Sequence, residues 1–305
     1  MKLHQKRLLY AGLIVLLVVI WIFYAANGPQ TTAVLAGTVR AATLLALGAM
    51  CGMIGERSGV VNIGIEGQFL LSAFAAFTVA SMTSSLFLGT IAGIGMGLLM
   101  GWMLAAMAVG LKVDQIIAGT VLNIAALGLT SFFYDRSRSL GVGKYTNIDL
   151  GPLADIPLVG TVLFSRPPLT YLTMALLIVV HVALFRSVWG MRTRAIGEHP
   201  GAADTVGIDV LRLRYFNVTI AGGLAGLGGA YLALEAVGTF SRAMSGGRGF
   251  LALAVMIFGR RTPFGAYAAA LFFGFTTALQ NQFQLNNTFD NPPQLVGMLP
   301  FIVTI

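Results

Sequence analysis

The sequence predicts an all-α, polytopic membrane protein with about ten transmembrane or half-spanning helices and a cytoplasmic N-terminus. Three observations carry that prediction. Of the 305 residues, 57% are hydrophobic and only 10% are charged, with a mean hydropathy of +0.84; a soluble domain carries roughly a quarter of its residues as Asp, Glu, Lys or Arg. The apolar residues fall in runs near the roughly 20 positions that one helical crossing requires. The basic residues sit singly between those runs, where they act as topology signals. The net charge of +8 therefore does not point to nucleic acid, which would need a contiguous basic face on a soluble module. The single cysteine, Cys51, excludes a disulfide framework and a thiolate metal cluster.

Taken in order, the N-terminal stretch joins a basic start to an apolar run at 8–26, longer than a usual signal-peptide core, and is expected to be a retained first span. Further runs bounded by Gly, Pro or charge lie at 32–54, 62–82, 86–111, 115–134, 169–188, 213–237, 249–258, 263–283 and from 294 onward. With the N-terminus inside, 12 Lys and Arg fall inside and 6 outside, and Arg40 stays within a span. This bias sets the orientation. The run 249–258 covers only about 15 Å, so it either draws on the preceding residues 241–248 or is a half-crossing helix. The last run reaches Ile305 after about eleven residues, as a re-entrant helix or a sequence cut short would. The polar stretch 135–168 is an expected external loop, with a short apolar element at 156–164. The whole chain, 1–305, reads as one transmembrane domain. Gly93, Gly95, Gly97 and Gly101, and the small residues at 221–230, are expected where helices touch, because small side chains let backbones approach in lipid.

Motifs of soluble enzymes are missing: the sequence has no GxxxxGK[ST], HExxH, CxxC or GxSxG. His4, His181 and His199 are too scattered for a metal site, and His181 reads as a hydrogen-bonded interior residue. A protease pairing of Ser245 with His181 rests on residue identity alone. Ionisable groups inside spans cost about 2.5–3.5 kcal/mol at mid-bilayer, which makes each a site candidate. Arg40, Glu56, Glu66 and Glu235 are the cases here. The segment 55–70 places Glu56, Arg57, Asn62 and Glu66 among Gly55, Gly59, Gly64 and Gly67. Polar, helix-breaking backbone at membrane depth is tolerated only where protein buries it or it lines a cavity, so an interrupted helix beside a solute pathway is one reading. The other leaves Glu56 and Arg57 at the membrane surface and pairs Glu66 with Arg40. Residues 192–214 begin and end with paired arginines and contain Pro200, a good opener for a short helix. Such a helix, carrying Ala202, Ala203, Val206, Gly207 and Ile208, would dock into a groove on a soluble partner; an ordinary loop is the alternative.

Three stretches, GERSGVVNIGIEGQFLLSAF, GEHPGAADTVGI and SGGRGFLALAVMIFGRRTPFGA, resemble the permease subunits of ATP-binding-cassette importers of the branched-chain amino acid, ribose and nucleoside group. The likeness is strongest to the nucleoside, or simple-sugar, branch, and covers about residues 40–279. It implies a multi-pass permease of a bacterial or archaeal cytoplasmic membrane, paired with a second, related permease and driven by a cytoplasmic ATPase. An external substrate-binding protein would deliver a nucleoside or similar small sugar compound. This chain would bind no cofactor, since ATP and Mg belong to the ATPase. By the same resemblance Gly197, Glu198, His199, Pro200, Ala202, Ala203, Gly207 and Ile208 form the coupling segment gripped by the ATPase, within a cytoplasmic stretch 192–212. Asn62 is the first choice for the substrate pathway because its amide both donates and accepts; Glu66, Phe69, Phe250, Arg40 and Glu235 follow. The rival class is an ion- or proton-coupled transporter, with Glu66 and Glu235 as its ion sites.

Overall fold

A computed structural model describes residues 21–134 and 139–285. Most of the run 8–26, the run from 294 onward, His4, Arg136 and Arg138 lie outside the described residues.

The chain is a helical bundle. Helix α1 (Gly28–Arg57) is 30 residues long, opened by Pro29 in its first turn and by the Asn27 side chain, which accepts from the Gln30 amide. It is followed by α2 (Ile65–Thr83), α3 (Leu86–Gly110), α4 (Gln115–Phe132), α5 (Pro168–Arg186) and α8 (Val210–Val237), and these six are long and apolar enough to cross a membrane. Two short helices, α6 (Val188–Glu198) and α7 (Pro200–Thr205), stand between α5 and α8. Helix α9 (Arg248–Phe258) has 11 residues, about 16 Å, and so is too short for a bilayer of roughly 30 Å. Helix α10 (Pro263–Leu285) closes the described chain. The eight internal runs read from hydropathy thus reappear as helices. The chief shift is that α1 begins four positions before the expected 32, because the Asn27 cap and Pro29 can start the helix ahead of the first unbroken apolar residues.

Among the described residues the fold departs from all-α at one place. In the 139–167 segment, β1 (Ile148–Asp149) pairs antiparallel with β2 (Ser165–Arg166), Ile148 opposite Arg166. The apolar element expected at 156–164 is a helical turn over Gly160–Phe164.

Helices α1 and α8 form the centre, with 67% and 78% of their most apolar windows buried, against 33% and 28% for α3 and α4. Leu47 and Met50 of α1, Phe69 of α2, Tyr231 of α8 and Phe273 of α10 meet in one core cluster. Helices α3 and α8 touch backbone to backbone. A Cβ placed on Gly97 would sit 2.3 Å from the Gly222 carbonyl oxygen, and one on Gly226 2.5 Å from that of Gly93. That contact is why glycine occupies the seam. Gly95 differs from its neighbours, since nothing lies within 4 Å of its Cβ position; at an odd spacing from the others it points away from α8.

Candidate substrate pathway and coupling site

The interruption expected near Gly55 lies between α1 and α2, over residues 58–64. Its start is a glycine-ended helix terminus. Gly59 has φ +84°, its amide donates to the Glu56 carbonyl at 3.0 Å, and the Val60 amide donates to that of Gly55 at 2.9 Å. This pairing satisfies the last carbonyls of α1 and turns the chain. The backbone beyond it is held by side chains of α4. Gln115 accepts from the Val61 amide at 2.7 Å and donates to the Gly59 carbonyl. Asn123 accepts from the Gly67 amide at 2.7 Å and donates to the Ile63 carbonyl at 3.0 Å. Between them Gly119 leaves no room for a Cβ, which would fall 2.8 Å from the Gly64 amide. Irregular backbone is thereby supplied with the partners that lipid cannot give.

Within this irregular segment the Asn62 side chain is buried. Its amide donates to Gln68 Oε1 at 3.0 Å and approaches Cys51 Sγ at 3.4 Å. Asn62 Oδ1 and Gln68 Nε2 are buried without a partner. Phe69 is fully buried, its ring wedged against Gly48 of α1 and Gly228 of α8, so it is a core residue in this structure. Phe250 is 49% exposed on the outer side of α9.

Glu66 and Glu235 are both spent on helix starts. Glu66 accepts from the Gly247 and Gly249 amides, each at 2.7 Å, at the N-terminus of α9. Glu235 accepts from the Leu169 amide at 2.7 Å, the Thr170 amide at 3.1 Å and the Thr170 hydroxyl at 2.6 Å, at the N-terminus of α5. A carboxylate is stabilised there by the helix dipole and the free amides. The expected pairing of Glu66 with Arg40 is therefore replaced by a cap, and Arg40 lies instead in a small cavity with Glu235. Glu56 binds Arg261 at 2.6 Å, and Arg57 donates to the Arg261 carbonyl at 3.1 Å. Helix α9 is thus fastened at its start to α2, after the break, and just beyond its end to α1, before it.

The 197–208 segment sits directly against the same break. Arg214 of α8 donates through Nε to the Ser58 carbonyl at 2.9 Å and through Nη2 to the Ile196 carbonyl at 3.1 Å. A Cβ on Gly197 would lie 2.2 Å from the Arg57 carbonyl oxygen. Glu198 ends α6 and His199 separates it from α7, whose first residue is Pro200. Ala202 and Gly207 are exposed, Ile208 is half-buried and Val206 is 74% exposed. Ala203 is buried, so it anchors α7 to the bundle instead of facing a partner. Six residues give α7 too few turns for a sequence pattern to tell its two faces apart.

Ser245 and His181 are not brought together as a catalytic pair. The His181 ring packs on Phe185 and Phe264, while the Ser245 carbonyl closes a turn onto the Arg248 amide ahead of α9. Gln68, Gln115, Asn123 and Arg214 are site residues that sequence reasoning missed. Gln115 and Asn123, two turns apart on one helix, were the only available hint.

Residues 34–305 match the family described as the branched-chain amino acid transport system permease component. The guanosine ABC transporter permease protein NupQ of Bacillus subtilis is 36% identical over 274 residues, 86% of each chain. The nucleoside ABC transporter permease protein NupC of Lactococcus lactis is 35% identical, over 83% of this chain and 84% of that one. The putative glucose ABC transporter permease protein TsgC13 of Haloferax volcanii is 34% identical over 88% of each chain. No solved structure matches.

Proposed function

Because this chain belongs to the permease-component family of branched-chain amino acid transport systems, we propose that the solute it carries is a nucleoside or a similar small ribosyl or sugar compound. The chain is a multi-pass, pore-forming permease subunit of an ABC importer and is not itself an enzyme. Such a subunit works with an ATPase and a second permease. Guanosine, nucleoside and glucose permeases among its relatives support the solute class.

On this reading the chain has about ten spans, with its N-terminus, Arg57 and the 197–208 segment on the cytoplasmic side of the inner membrane and the 135–168 loop outside. A substrate-binding protein delivers cargo to the outer face. ATP and Mg act on the partner ATPase, and closure of that ATPase pushes on 197–208. The observation that carries the proposal is the Arg214 bridge between Ile196 and Ser58, because it would pass a displacement of the coupling segment straight to the irregular backbone between α1 and α2. Coupling requires these contacts to differ between two states. Asn62 and Gln68 are buried in this structure, so the Asn62 oxygen and the Gln68 amide, which have no partner, serve a neutral, hydrogen-bonding solute only in a second state that uncovers them, whereas the Phe250 ring is already exposed to a flat base. Glu66 and Glu235 hold helix starts beside that route, which argues against their use as ion-coupling sites.

The test is uptake of labelled guanosine and glucose into proteoliposomes holding both permeases, the ATPase and the binding protein, with the proton gradient collapsed. ATP-dependent guanosine accumulation supports the proposal. Uptake that ignores ATP, or that returns only when the gradient is restored, sinks it.

A further inference from the structure

At the far end of α1 from the coupling segment, Arg40, Lys144 and Arg166 line one cavity of about 70 Å³, together with Tyr145, Asn147 and Glu235. Among the described residues three cations face a single carboxylate, and that carboxylate is already committed, since both Glu235 oxygens accept from the first turn of α5. Arg166 is only 6% exposed. Its Nε donates to the Val162 carbonyl at 2.7 Å and its Nη1 to that of Ala36 at 3.3 Å, but Nη2 is buried with no partner. A guanidinium nitrogen held out of water without an acceptor is costly, and like-charged neighbours add to the cost. Burial, and then the nearby Arg40, push the Arg166 guanidinium below its ordinary value, the direction that an unfilled need for negative charge produces.

We infer that this cavity is a binding site for a small inorganic anion of halide size, held by Arg166, Arg40 and Lys144. At roughly 10–15 Å³ of such space per water, the cavity holds on the order of five waters, and its cationic lining suits a small inorganic anion such as chloride. The lining comes from α1, the 139–167 segment, α5 and α8, so a bound anion would fasten that segment to the bundle. The site is independent of the transported solute.

The experiment is thermal unfolding of the assembled importer in nanodiscs, with chloride or bromide exchanged for gluconate at constant ionic strength. A saturable rise in midpoint with halide is expected. Lys144→Gln, at an exposed position, should raise the half-saturating bromide concentration about tenfold, equivalent to ~1.4 kcal/mol, and, because it relieves repulsion among the three cations, should not lower the midpoint in gluconate. Arg166→Gln should abolish the response. Identical midpoints in halide and gluconate, or an unaltered titration in Lys144→Gln, would overturn the inference. So would acetate acting as well as chloride with the binding protein displacing both, because the site would then belong to a partner's carboxylate side chain.

Discussion

Arg214 Nε lies 2.9 Å from the carbonyl oxygen of Ser58, so a residue near the start of α8 holds the turn that ends α1. The same guanidinium reaches Ile196, and only a planar, forked donor does both at once. Arg214→Lys is expected to keep the charge, lose one of the two bonds and lower stability by about 1–2 kcal/mol. ATP hydrolysis by the assembled importer should continue while solute uptake falls, which paired ATPase and uptake assays on the variant check.

The exposed side of α7 is expected to carry the ATPase contact. Val206→Asp and Ala202→Glu should weaken association with the ATPase and leave the permease folded. Ala203→Glu, which forces a charge into a buried position, should lower the unfolding temperature as well. Co-purification of the ATPase alongside thermal unfolding separates the two effects.

The seam between α3 and α8 predicts a contrast within one glycine run. Gly97→Val drives its Cβ toward the Gly222 carbonyl and should cost about 1–3 kcal/mol through overpacking. Gly95→Val has open space and should stay within roughly 0.5 kcal/mol of the parent. Equal losses for the two variants in a denaturation series would contradict the seam.

Asn62→Leu leaves the Gln68 oxygen with only the weak Cys51 thiol as a donor and should destabilise by about 1–3 kcal/mol, whereas Asn62→Leu with Gln68→Leu should recover much of that, since removing both partners spares the under-satisfied group. Uptake should be reduced in both variants if the amide pair serves the solute. Stability restored together with full uptake would assign the pair to structure alone.

Much of this arrangement is legible in the sequence, and the parts that are not have a common cause. The eight internal helices follow from runs of apolar residues, and the break after Gly55 follows from glycines set among charges, because both are local properties of the chain. The roles of Gln115, Asn123 and Arg214 are not legible locally, beyond the two-turn spacing of the first two, because each acts on backbone more than 50 residues away. Glu66 was read against Arg40 by sign of charge. Its actual partners are the bare amides of Gly247 and Gly249, which carry no formal charge to be noticed. Ala203 was placed on the docking side by composition, and only the packing of α7 shows it turned inward.

Helix α9 is tied near one end to Glu56 and at the other to Glu66, residues on opposite banks of the same gap. Whenever that gap widens or narrows, the short rod spanning it has to tilt, as a strut hinged at both ends does. Phe250, riding on the first turn of the rod, would be swung by any stroke that reaches Ser58.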